Sequence, residues 1–405
     1  MDDETAAAAT RYVPHELVMQ ILLRLPVESL MRFTCVCKVW HDTITRDQSF
    51  QRQHLYLQQT CVLIAPWTRI NCGGHPYERK LMVTTPGLYR WEMSQDAATL
   101  VLAMDSFPVV EAGRRHNLAH CDGLVLVSMD DNVWVLNPAT RHVLPLPQSR
   151  VTPRGLRRCF DGALGLGHDP HSNTYKVARF YYPSVDRLER GGYHYTLGME
   201  VFTIGRDRHW RETAAPPPYP IMAGRTATFF KGSLLWTIDE SLLLPGDVVP
   251  ARGFLRFSLN DESFSVIPAP PGCPDLRYAT SNLAEFHGEL CVAHEGPKHG
   301  SFRSACIWVC NDVDGSNPPR WVQRHVMNAP RCIHLVATSN DDILFQGGSY
   351  NLMCSDSQST LGVRHVAIMH DLAYHHPNTN TLVKYTSEIV YDYDIIPYVP
   401  SLMPI

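Results

Sequence analysis

Residues 12–55 read YVPHELVMQILLRLPVESLMRFTCVCKVWHDTITRDQSFQRQHL, and their punctuation divides the stretch into three or four short helices. Pro14 suits the first position of a helix, where a missing N–H is no loss, and Glu16 follows beside the positive end of the dipole. Leu17, Ile21 and Leu25 recur at four-residue spacing, while Val18 and Leu22 make a second, adjacent row. One stripe buries a helix on its own domain; two rows make it apolar over a wide arc. Pro26 ends this helix, because the residue before a proline is pushed out of the α region, and starts a second one carrying Leu30, Met31 and Phe33. Val36, Val39, Trp40 and Ile44 fit a third helix, and Asp47 is an N-cap for a short fourth turn carrying Phe50. A bundle this small buries too little surface to stand alone, and a partner covering the second apolar row would resolve both features.

From about residue 60 the texture changes to short β-branched or aromatic runs between prolines and glycines. One recurring half is an apolar strand entered through a polar-Gly turn: Asp122-Gly123, Lys231-Gly232, His287-Gly288 and, more loosely, the Asn340-Asp341-Asp342 turn. The other half is a strand, a polar turn and a strand ending in prolines, as in 134–147, 202–218 and 257–271, with weaker copies at 307–326 and 368–385. The glycine-entered strands near 232, 288 and 342 are 56 and 54 residues apart, and the gap before them, 109, is about double. A period near fifty with several strands per repeat is the signature of a kelch-like propeller blade. The expectation is an all-β domain, a β-propeller of six or seven blades, with paired β-sandwiches as the alternative.

The helical run resembles the F-box, the module by which substrate receptors dock on the Skp adaptor of cullin–RING ubiquitin ligases. The matching residues are Val13-Pro14-x-Glu16-Leu17, Ile21-Leu22-x-Arg24-Leu25-Pro26-Val27-x-Ser29-Leu30, Arg32-Phe33, Cys35-Val36-Cys37-Lys38-x-Trp40 and Ser49-Phe50. Val13 stands where leucine is usual, and His41 and Thr43 replace commoner residues. The resemblance implies an adaptor-facing surface of Pro14, Leu17, Leu22, Leu25, Pro26, Leu30, Cys35, Val36 and Trp40. The CDGLVLV…VLNPATR and FSLNDESFSVIPAPP motifs resemble the F-box-associated domains of large plant receptor families. Together they imply a disordered 1–9, an F-box at 10–57 and a β-rich recognition domain at 58–405. They further imply a non-catalytic receptor subunit of an SCF-type ligase, with cullin and RING subunits reached through the adaptor and a protein substrate on the β domain. An adaptor-bound scaffold acting outside degradation, or a propeller with a small-ligand or enzymatic site, stays open.

Composition narrows the alternatives. With 44% hydrophobic and 19% charged residues and a formal charge of −4, the 405-residue chain has no broad electrostatic footprint for nucleic acid or an anionic membrane. No apolar run approaches the ~18 residues of a membrane span, and MDDETAAAATR lacks the core of a secretory signal. Twelve cysteines without such a signal point to a reducing compartment, cytoplasm or nucleus. No catalytic motif is present and no cofactor is expected. Cys35-x-Cys37 reads as small buried apolar residues. Cys291-x-x-His294 with Cys306 and Cys310 reads as scattered thiols rather than a zinc site, and His375-His376 as a solvated loop. Arg150, Arg154, Arg157 and Arg158 fall in one inter-blade segment; they read as a contact for an acidic degron or phosphopeptide, or as a solvated loop.

Overall fold

A computed structural model describes residues 13–405, apart from 71–81, 94, 105–106, 108, 112–117, 130–131, 152–153, 156–162, 188–192, 222–224, 243–251, 272, 274–280, 300–301, 312–318, 330–332, 340–341, 349, 356–361, 377–378, 380 and 387. The expected disordered 1–9 lies outside the described residues. Four helices open the chain: α1 (His15–Leu22), α2 (Val27–Phe33), α3 (Lys38–Arg46) and α4 (Gln48–Leu57). Pro14 is the N-cap of α1 rather than its first residue, with φ −54° and ψ 142°, and its carbonyl accepts from the N–H groups of Leu17 and Val18 at 3.1 and 3.2 Å. α1 stops at Leu22, short of Pro26, because Arg24 N–H bonds to Ile21 O (3.0 Å) and Leu25 N–H to Leu22 O (3.1 Å), tightening the last turn. Asp47 caps α4 as expected: its Oδ1 accepts from Ser49 N–H at 2.9 Å and Phe50 N–H at 3.1 Å. The capped helix runs for ten residues, longer than the short turn read from sequence.

The remainder is β-structure. Five sheets are plain four-stranded blades in sequence order, spanning Ala119–Pro145, Ala163–Glu212, Thr228–Pro268, Ser281–Ala329 and Ile333–Ile368. Within each, successive strands pair antiparallel from an inner strand outward. An eight-stranded sheet completes the ring. In it the C-terminal strand Val390–Tyr398 pairs antiparallel with Cys61–Ile70, which pairs with Gly87–Trp91 and then Ala97–Ala103. Val390–Tyr398 takes the inner position, lying beside the inner strands of both the first and the fifth blade. The expected propeller is therefore present, with five regular blades and a composite closing sheet in place of six or seven uniform repeats. Paired sandwiches are not formed, because each sheet packs on two neighbours around the ring. The second and third blades illustrate the core: Ala178, Phe180 and Val201 interlock with Leu234, Trp236 and Leu255.

The polar-Gly turns are two-residue hairpins with both central residues at positive φ: Asp122 52° and Gly123 79°, Lys231 42° and Gly232 73°, His287 51° and Gly288 78°. Such turns match the twist of the strands they join, which is why the motif recurs. They connect first to second strand of a blade, so with the third-to-fourth turns they lie on one face of the ring, here the turn face. Among the described residues, 146–151, 154–155, 182–187, 193–197, 213–221, 225–227 and 238–242 belong to the longer connections of the opposite loop face. The prolines ending outer strands have a packing role as well. Trp210 Nε1–H donates to Pro147 O at 2.6 Å and Trp321 Nε1–H to Pro268 O at 2.9 Å, tying the second blade's rim to the first and the fourth blade's rim to the third.

Candidate functional site

The helical head sits on the turn face, and the end of the chain completes its core. Leu22, Leu23, Val27, Leu30, Ile44 and Phe50 pack with Ala139 of the first blade and with Leu402. The tail 399–405 leaves the closing strand on the turn face and is held there by Asn137. Its Nδ2 donates to Ser401 O (3.1 Å) and Met403 O (2.8 Å), and its Oδ1 accepts from Ala139 and Thr140 N–H at 3.1 and 3.2 Å. Part of the apolar arc that the sequence assigned to a partner is thus covered by this chain. Leu22 and Leu30, read as adaptor-facing, are 1% and 0% exposed; they support the surface from beneath.

The other row stays open. Leu17 and Ile21 on α1 are 55% and 56% exposed, and Val36, in the connection before α3, and Val39, in its first turn, are 56% and 58% exposed. Pro14, Pro26 and Cys35 are exposed, and Leu25 and Trp40 are half-buried, with Trp40 tilted against Phe33 at 5.6 Å between ring centroids. Cys35 and Cys37 are both exposed rather than buried, because they fall in the connection between α2 and α3; the Cys35 thiol reaches Arg32 O at 3.0 Å. Ile21, Val39 and Val13 are exposed apolar residues outside the expected set, although Ile21 follows Leu17 at the same four-residue spacing. Underneath, His54 is fully buried and its Nε2 bonds the Leu25 carbonyl at 2.8 Å, closing the end of α1; burial lowers its pKa, so it is held neutral.

Head and ring are joined by a partly buried charge relay. Arg52 of α4 pairs with Asp122 in the first hairpin turn, Tyr175 O–H donates to the same carboxylate at 2.8 Å, and the guanidinium lies 5.7 Å from the Tyr175 ring centroid. Burial, with Asp122 beside it, pushes the Tyr175 phenol well up, so it acts as a donor. Glu28 of α2 adds a second link to Arg90 at 3.4 Å.

The expected arginine site is described only in part. Arg150 is exposed on the loop face, Arg154 starts a short strand pairing with Ser184, and Arg157 and Arg158 lie outside the described residues. Cys291 and His294, three apart on one strand, point to opposite faces of their sheet, and among the described residues no three His, Cys, Asp or Glu side chains converge as a metal set. No helix among them is long and apolar enough to cross a membrane.

A small helical head with an open apolar row, fixed to one face of a ring of four-stranded sheets, defines a docking module joined to a recognition propeller. Residues 11–56 match an F-box-like domain and residues 93–355 an F-box associated beta propeller domain, and the chain belongs to this F-box-associated propeller family. It is similar to F-box protein At3g07870 of Arabidopsis thaliana, 24% identical over 317 residues and covering 73% of this chain and 68% of that one. F-box/kelch-repeat proteins At3g44120 and At4g19930 of the same plant are 25% and 24% identical, covering 76% and 81% of this chain and 74% and 72% of their own lengths. The chain is therefore an F-box protein of the substrate-recognition type, and an F-box is in general a module for binding a Skp-type adaptor.

Proposed function

We propose that this chain is the substrate receptor of an SCF-type cullin–RING ubiquitin ligase, binding the Skp adaptor through Leu17, Ile21, Val36 and Val39 and a protein target through the loop face of the propeller. Cullin and RING subunits are reached through the adaptor. The chain contributes no catalytic group; it raises the effective concentration of target lysines near the transferring enzyme. The proposed setting is the cytoplasm or nucleus, where reducing conditions suit a chain with twelve cysteines.

The observation that carries this reading is an apolar row left open on a head whose core is otherwise complete. Exposed apolar side chains in contiguous rows mark interaction sites. The test is titration of the purified chain with a Skp-type adaptor by calorimetry. A 1:1 complex is expected, lost in the Leu17→Asp/Ile21→Asp double variant. Unchanged affinity in that variant refutes the surface proposed here.

A further inference from the structure

The fourth and fifth blades leave a cavity of about 290 Å³ between them. Its wall is apolar on both sides: Cys291, Ile307 and Val309 on the fourth blade face Leu335 and Ile343 on the fifth. Its rim is polar. Glu289, next to the His287-Gly288 hairpin turn, accepts from Arg324 Nη2 at 2.9 Å within a two-bonded ion pair, and His287 and His325 stand beside it. The space equals roughly ten water volumes and lies at the lower end of small-ligand pockets. Water can bond at the polar rim, while the buried thiol and aliphatic wall beneath it offers few partners.

The rim selects the class of occupant. Arg324 lowers the Glu289 pKa and keeps it ionised, so the mouth presents one negative and one positive charge already neutralising each other. A charged ligand gains one attraction there only by meeting an equal repulsion and by stripping its own hydration. Burial pushes the Cys291 thiol up to about 12, so the wall is a protonated, unreactive surface and not a nucleophile. We infer that this inter-blade cavity is a binding site for a small, uncharged molecule with an apolar body and one hydrogen-bonding head at the Glu289–Arg324 rim. The site is separate from the open row on α1 and α3 and does not depend on the adaptor reading.

Indole, with an apolar bicycle and one N–H, is a suitable probe. The full chain carrying ¹³C-labelled isoleucine methyl groups is titrated with indole and followed by NMR. Saturable shifts are expected at Ile307 and Ile343, with Ile64 and Ile395, in the core between the closing sheet and the fifth blade, unmoved. Cys291→Phe should fill the space and weaken binding by at least about tenfold. Indole-3-carboxylate should bind more weakly than indole. Absence of saturable shifts below about 10 mM, shifts unchanged in Cys291→Phe, or tighter binding of the carboxylate each overturns the proposal. Should Cys291→Phe lose the Ile64 and Ile395 signals of the folded core, Val309→Met provides the smaller filling and the same readout.

Discussion

Asn137→Asp tests how the head is held to the ring. Asn137 is 0% exposed, and its amide makes four hydrogen bonds, two of them donations to the tail carbonyls of Ser401 and Met403. Aspartate keeps the shape and both acceptances from Ala139 and Thr140 N–H but removes both donations, leaving two carboxylate–carbonyl contacts in place of hydrogen bonds. Each buried acceptor deprived of its partner costs about 1–3 kcal/mol, and the two are coupled, so about 3 kcal/mol is expected. By linkage that is an opening equilibrium roughly 150-fold more populated. The readout is hydrogen exchange by mass spectrometry on peptides covering 399–405 and 15–33. Both should exchange faster, because Leu402 packs in one cluster with Leu22 and Leu30. Faster exchange confined to the tail would refute the claim that the tail completes the helical core, and unchanged exchange in both would refute the hydrogen-bond accounting itself.

Other perturbations separate docking from folding. Leu17→Asp/Ile21→Asp should abolish adaptor binding while changing stability by less than about 0.5 kcal/mol, since both side chains are more than half exposed; urea melts beside calorimetry check this. Gly123→Ala forces a side chain into a turn with φ +79°, and its Cβ would lie 2.2 Å from Val399 O, so a loss of about 1–3 kcal/mol and a displaced tail are expected in the same exchange experiment. Arg52→Ala should cost about 1–2 kcal/mol, between exposed and buried pairs, because both partners are about one-quarter exposed; a double-mutant cycle with Asp122→Asn isolates the coupling. Asp394, bonded by Trp67 Nε1–H at 2.9 Å, is raised by burial from 3.8 to about 8. Between those values the folded state holds more protons than the unfolded one, so stability falls as pH rises from 4 to 8, and Asp394→Asn should flatten that decline in urea melts across the range.

Local chemistry was readable from sequence wherever a short-range rule decides it. The Asp122-Gly123, Lys231-Gly232 and His287-Gly288 turns announce themselves because two successive positive φ angles demand such residues. The second blade hides in the 109-residue gap for the complementary reason. Its first turn, 169–174, contains no glycine and is held instead by Asp169, whose carboxylate accepts from His171 N–H at 3.0 Å and Ser172 Oγ–H at 2.6 Å, while Asn173 takes φ 51°. The closing sheet was invisible to any search for a period, since its inner pair joins Cys61 to Tyr398. The candidate surface divides the same way. Four-residue spacing identifies two apolar rows on α1, but which row faces outward is settled by Leu402, far away in the chain.

That closure has a consequence for how the two ends of the molecule divide their work. The inner strand Val390–Tyr398 and its partner Cys61–Ile70 bring both ends of the propeller to the turn face, next to α4 and the tail. The polar links between head and ring, Arg52–Asp122, Glu28–Arg90, Gln48–Asn173 and Asn137 with the tail, lie outside the described parts of the loop-face connections. On the proposed function, changes in those connections would therefore alter target binding without touching the residues that orient the head. The reverse does not hold, because loosening the tail removes Leu402 from the helical core and the end of the closing strand together. A variant lacking 399–405 should accordingly lose adaptor affinity although none of the deleted residues lies on the open row. Calorimetry shows this as a weaker apparent affinity with unchanged 1:1 stoichiometry, the deficit of a binding-competent state that is only partly populated. Full affinity in the truncated chain would mean that the helical head folds without the ring.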